Sequence, residues 1–181
     1  VRVEVEGCRN LDSRQGFIFA ANHQSAYDIF AIYGYLGHNF RWMMKQSLRR
    51  IPFVGFACAA TRQVFVDKSS PSALHRTMAE AEARLRSGMS IVVFPEGSRT
   101  FTGKMGPFRR GAFTLAAEFG LPVVPITIDG AYDVMPRTAP WPRPGRIRLV
   151  IHRPINPPEG GYDQTELMNQ TREVIASSLP E

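Results

Sequence analysis

Residues 22–28 read Asn-His-Gln-Ser-Ala-Tyr-Asp and follow directly on the apolar run GFIFAA. An imidazole titrates near neutrality, so His23 can accept a proton from a hydroxyl or a water, and a carboxylate on its second ring nitrogen would fix the tautomer and stabilise the imidazolium. Asp28 is the candidate for that carboxylate. The spacing is restrictive, because residues five apart on a regular helix point about 140° away from each other. His23 must therefore precede the helix, with Asp28 in its opening turns and Ser25 or Asn22 available as cap. The competing account of these residues is a helix-capping cluster with an incidental histidine.

A second polar segment, FPEGSRT from Phe94 to Thr100, follows the apolar run SIVVF. Gly97 is free to take positive φ there, and Glu96, Ser98, Arg99 and Thr100 stand at the exit of the turn. The planar fork of Arg99 matches a phosphate or carboxylate through two hydrogen bonds, and neighbouring backbone N–H groups could add to it. The plainer alternative is a structural turn with a surface pair between Arg99 and Glu96. Basic residues gather around this segment: Lys104, Arg109 and Arg110 downstream, Lys45, Arg49 and Arg50 upstream. The upstream group is interleaved with Trp42, Met43, Met44, Ile51, Phe53, Val54 and Phe56. Such a pattern reads either as a solvated basic face beside core residues or as an anion site with an adjoining apolar surface.

Both segments leave a strand and enter a turn, which places their side chains at the carboxyl edge of a sheet, where α/β proteins build their sites. Strands are expected at Val1 to Glu6, Gly16 to Ala21, Val64 to Val66, Ile91 to Phe94, Val123 to Ile128 and Arg146 to His152. Helices are expected between them. Ser70 caps and Pro71 opens one with Leu74, Met78, Ala81 and Leu85 at helical spacing, stopped by Gly88; others run from Gly111 to Phe119 and from Asp163 to Leu179. Four prolines between Pro136 and Pro144 mark an irregular loop. The fold expected is α/β: one domain with a mixed, largely parallel central sheet flanked by helices.

The chain of 181 residues suits a single core, and 44% apolar with 21% charged residues is the composition of an ordinary globular protein. A net charge of +6 favours anionic partners without choosing among them. Nucleic acid is set aside, because no helix carries a basic stripe and no aromatic-basic module is present. Cys8 and Cys58 lack metal-ligand spacing and read as reduced thiols of a cytosolic compartment. No apolar stretch reaches the roughly 18 residues that a membrane span needs. Val1 opens into a strand pattern, not a signal peptide, and the missing initiator Met suggests a chain cut from something longer.

In their order these motifs resemble the 1-acyl-glycerol-3-phosphate acyltransferase family. His-x4-Asp is His23 and Asp28; the second motif is Phe65, Asp67 and Lys68; the Glu-Gly-Ser-Arg block is Glu96 to Arg99; a Val-Pro-Ile run is Val124 to Ile126. The segment KQSLRRIPFVG, from Lys45, resembles the family's Lys-x-x-Leu element. The likeness runs from about Gly7 to Pro154. It implies the glycerolipid acyltransferase fold across 1–181, no cofactor and no metal. His23 would deprotonate the hydroxyl of a lysophospholipid acceptor, which attacks the thioester of acyl-CoA or an acyl carrier protein, while Asp28 orients His23. Arg99 would hold the acceptor phosphate with Lys68 and Lys45. Gly97 and Ser98 would complete that substrate-binding turn, and Glu96 would bond the acceptor or Arg99. The family's second motif usually ends in Arg; Lys68 is instead a point charge, without the two-pronged geometry.

The family also commonly carries an amino-terminal hydrophobic helical segment that docks on the membrane, and this chain is expected to lack it. Contact with the membrane surface would then fall to the basic and apolar residues near Trp42 to Phe56. The expected location is peripheral or anchored on the cytoplasmic face of the cell membrane. Competing accounts are transfer to glycerol-3-phosphate, to a lyso-ornithine lipid or to another lysophospholipid, thioester hydrolysis by water activated at His23, and a non-catalytic anion-binding module at a membrane surface.

Overall fold

The computed structural model describes residues 1–7, 11, 12, 14–67 and 69–180. Lys68 and Cys8, both named above, lie outside the described residues. Seven strands form one sheet: β1 (Arg2–Gly7), β2 (Ile18–Ala21), β3 (Phe40–Lys45), β4 (Val64–Val66), β5 (Ser90–Val93), β6 (Val123–Asp129) and β7 (Arg146–Ile151), in the order β1-β7-β6-β2-β5-β3-β4. All neighbouring pairs are parallel except β6 with β7. This is the mixed, largely parallel sheet expected.

Helices α1 (Tyr27–Tyr35), α2 (Val54–Ala60), α3 (Pro71–Arg86), α4 (Gly111–Glu118), α5 (Ala131–Val134) and α6 (Gln164–Ala176) cover it, and a 3-10 turn spans Gln46–Arg50. The period-two alternation of the buried strands splits the core into two layers. Phe17, Phe19 and Ala21 face one way, packing with Ile126, Ile128, Ile147 and Leu149 under α1 and α5. Ile18 and Ala20 face the other way, packing with Ile91, Val93 and Val123 under α3, α4 and α6. Central strands buried on both faces read as continuous apolar runs, which is why β2, β5 and β6 were visible in the sequence.

Besides the 3-10 turn and the four-residue helix α5, two elements were not expected. The segment FRWMMK is a strand, β3, inserted between β5 and β4, and it buries Phe40 and Trp42 in the first core layer. Trp42 therefore does not belong to an exposed apolar surface. The apolar run after Phe53 contains the short helix α2, which carries Cys58 as a free, partly buried thiol. Among the described residues no helix is long and apolar enough to cross a membrane. The Ser70 cap formed as the sequence required: its side chain accepts the Ala73 N–H at 3.1 Å, and Pro71 opens α3.

Candidate active site

Strand order explains why motifs scattered over the chain meet. β2, β5, β3 and β4 are four consecutive parallel neighbours, so their carboxyl ends share one edge. His23 follows β2, Glu96 to Arg99 follow β5, Lys45 ends β3, and Asp67 follows β4. The Val124 to Ile126 run is buried in β6, paired in the sheet alongside β2.

His23 lies before α1 and Asp28 in its first turn, and the His23 Nδ1 to Asp28 Oδ2 distance is 2.7 Å. That is a charge-assisted length. Asp28 is 0% exposed, and the same Oδ2 also accepts the Gln24 and Ser25 N–H groups, at 2.7 and 2.8 Å. Oδ1 has no hydrogen-bond partner among the described residues. Burial pushes the Asp28 carboxyl above its ordinary value of 3.8, against the pull of His23 and the two backbone donors. No side chain caps α1 at Ala26; the Ser25 hydroxyl accepts the Tyr27 N–H and donates to the Met135 carbonyl. Asn22 is no cap either. Because Ala21 pairs with Ile126, the Asn22 amide reaches β6 and bonds both the N–H and the C=O of Ile128 at 2.8 Å.

The other face of the arrangement is the turn after β5. Glu96 was expected to bond the acceptor or Arg99. Its carboxylate instead accepts the His23 N–H at 2.8 Å on one oxygen and the Gly106 N–H at 2.7 Å on the other. Both oxygens are thereby committed to main chain, and burial raises the group above its ordinary 4.5. The His23 carbonyl accepts the Thr100 N–H at 2.9 Å, so residues 96 and 100 hold the His23 main chain from both sides. Gly97 has φ of +76°, and a side chain there would meet the Arg109 guanidinium at 2.9 Å. Glycine thus serves the turn and makes room for a second cation. Ser98 and Arg99 lie half-buried, and Lys45 is exposed. Among the described residues no carboxylate lies within ion-pair distance of Arg99, Arg109, Arg137 or Lys45.

Several contributors had no local signal. Phe94, expected as the end of a strand, stacks on the His23 ring with centroids 3.8 Å apart and 6° between planes, and then on Trp42 at 5.2 Å. Arg137, in the proline-rich loop, donates to the Arg99 carbonyl and lies 4.2 Å over the Phe101 ring. Tyr132 bonds the Phe101 carbonyl at 2.8 Å. Only the position of Phe94, next to the polar turn, hinted at its use. Among the described residues no group of three His, Cys, Asp or Glu side chains converges as a metal site.

Chemically the arrangement offers a base of fixed tautomer beside a turn with unpaired cations. The acyltransferase family model matches residues 2–129. The chain is 33% identical over 180 residues to the chloroplastic 1-acyl-sn-glycerol-3-phosphate acyltransferase LPAT1 of Arabidopsis thaliana, covering 98% of this chain and 49% of that one. It thus spans about half the length of the plant relatives it matches. With the Pseudomonas aeruginosa 1-acyl-sn-glycerol-3-phosphate acyltransferase it shares 32% identity over 98% of this chain and 68% of the relative. The crystal structure of the 1-acyl-sn-glycerophosphate acyltransferase PlsC from Thermotoga maritima superimposes with a TM-score of 0.82 at 34% identity, covering 96% of this chain and 69% of that one. Sequence, fold and the paired His23 and Asp28 converge: the chain belongs to the 1-acyl-sn-glycerol-3-phosphate acyltransferase family.

Proposed function

We propose that this chain transfers an acyl group from acyl-CoA or an acyl carrier protein to the free hydroxyl of 1-acyl-glycerol-3-phosphate, giving phosphatidic acid for phospholipid biosynthesis. The observation that carries the reading is the 2.7 Å contact of His23 with Asp28 beside the cationic turn. A proton donated from Nδ1 to Asp28 leaves the Nε2 lone pair to take the acceptor's proton. The alkoxide oxygen attacks the thioester carbonyl, the ester C–O bond forms, the C–S bond breaks, and the imidazolium returns its proton to the leaving thiolate. Arg99, with Lys68 and Lys45, holds the acceptor phosphate. The net charge of +6 supports a place on the cytoplasmic face of the cell membrane, peripheral or anchored.

A panel of acceptors, from glycerol-3-phosphate to neutral lysophospholipids, assayed with acyl-CoA and acyl carrier protein, tests the assignment. Lysophosphatidate is expected to give the highest kcat/KM. Acyl release at the same rate without any acceptor would point to a hydrolase. His23→Ala is expected to abolish transfer with the fold intact, and a variant retaining near-normal rates would sink the mechanism.

A further inference from the structure

Asp28 holds the His23 imidazole at one atom, Nδ1, at 2.7 Å, while Glu96 and Thr100 hold only its main chain. None of these contacts fixes the plane of the ring. A hydrogen bond tolerates bending on the order of 30° before it weakens, so an imidazole tethered at Nδ1 alone can swing. A swing of that size carries Nε2, on the far side of the ring, through on the order of 1 Å, and a misplacement of about 1 Å can cost about 10²-fold in rate.

The side chain of Phe94 removes that freedom. Its ring lies 3.8 Å from the imidazole, centroid to centroid, with 6° between the planes. Aromatic pairs usually settle at roughly 4.5 to 7 Å, so these two rings overlap nearly face to face. Tilting the imidazole toward Phe94 would drive ring atoms together, and tilting it away would give up contact across the whole face. Phe94 is itself anchored. It stacks on Trp42 at 5.2 Å and 25°, and Trp42 is 3% exposed. The Phe94 carbonyl accepts the Gly97 N–H at 2.9 Å, so the residue that carries the ring also closes the turn leading to Arg99. With Phe94 on one face and Asp28 on Nδ1, the His23 side chain is only 14% exposed.

We propose that Phe94 is a positioning residue whose ring sets the plane of the His23 imidazole and so the direction from which Nε2 takes a proton. The Nε2 lone pair lies in the ring plane. The acceptor hydroxyl must therefore arrive edge-on, within a plane parallel to the Phe94 ring. The inference rests on the reading of His23 as the base.

Phe94→Leu tests it, because leucine is apolar but has no flat face. Its kcat for acyl transfer is expected to fall by about 10- to 100-fold, with the KM of acceptor and thioester little changed. Phe94→Tyr keeps the face and should restore most of the rate. NMR of the His23 ring reads the stack itself. In the parent the carbon-bound ring protons should be displaced upfield by the ring current of Phe94. In Phe94→Leu they should move back, while the Nδ1 proton held by Asp28 keeps its downfield resonance.

Ring protons at ordinary positions in the parent would overturn the proposal without any variant. So would an unchanged kcat in Phe94→Leu, or a Phe94→Tyr enzyme as slow as Phe94→Leu. A rise in the thioester KM alone, or a changed preference among acyl chain lengths, would also overturn it, since Phe94 would then line the donor's path. Acyl release without any acceptor, slowed in Phe94→Leu to the same extent, would overturn the acceptor reading and leave the positioning role standing.

Discussion

The two halves of the site are built in opposite ways. Around Asp28 nothing is left to choice: the carboxylate is fully buried, and one oxygen receives the imidazole and two backbone N–H groups. Around Arg99 the side chains are half-buried or exposed cations without carboxylate partners among the described residues, and the backbone is tied down in part by one of them, Arg137, on the Arg99 carbonyl. A base must keep one tautomer and one direction through every turnover, so rigidity serves it. A cation paired within the protein would have to be freed before it could bind an anion, so leaving it unpaired favours the ligand.

Asp28→Asn should be the most damaging test of that contrast. Its amide can present N–H where the imidazole needs an acceptor, and kcat is expected to fall by about 10³- to 10⁴-fold with acceptor KM little changed. A fall confined to KM would mean that the buried half binds substrate. Arg99→Ala comes next. Losing a charged, two-pronged contact should lower kcat/KM for the acceptor by about 10- to 100-fold, through its KM and not that of the thioester. The reverse pattern would assign Arg99 to the donor.

The smallest effect concerns stability. Burial holds Asp28 and Glu96 above their ordinary values of 3.8 and 4.5, so the folded state binds these protons more tightly than the unfolded chain. Their contribution to stability is therefore complete below those ordinary values and is lost as pH rises through the folded ones. Urea unfolding from pH 4 to 7 should show a shallower decline for Asp28→Asn than for the parent; parallel profiles would mean that Asp28 is not under that strain.

What could be foreseen from sequence follows the same division. The strands β2, β5 and β6 are buried on both faces and so are apolar but for Ser90, Thr127 and the terminal Asp129, and α3 carries its own start and stop in Ser70, Pro71 and Gly88. The approach of His23 to Asp28 was expected on the condition that His23 precede the helix, with a capping cluster as the competing account, and the 2.7 Å contact meets that condition. β3 did not show itself, because Phe40 and Trp42 alternate with Arg41 and then give way to Met43 and Met44, which blurs the period of two. Among its described side chains α2 buries no large one that would impose a helical period. The use of Glu96 could not be foreseen either. A carboxylate that bonds the main chain of residues 23 and 106 leaves no mark in side-chain chemistry, since its partners are N–H groups common to nearly every residue.

The main chain of His23 is gripped on its N–H by Glu96 and on its carbonyl by Thr100, which stand one residue before and two residues after the turn at Gly97 and Ser98. The imidazole and the cationic turn are thus parts of a single rigid gauge. Any change in its span falls to the cation side chains, which have no carboxylate partners among the described residues. An acceptor whose anionic group and free hydroxyl are separated differently is met by a turn of the Arg99 side chain, because the main chain between the two points is held at both of its ends.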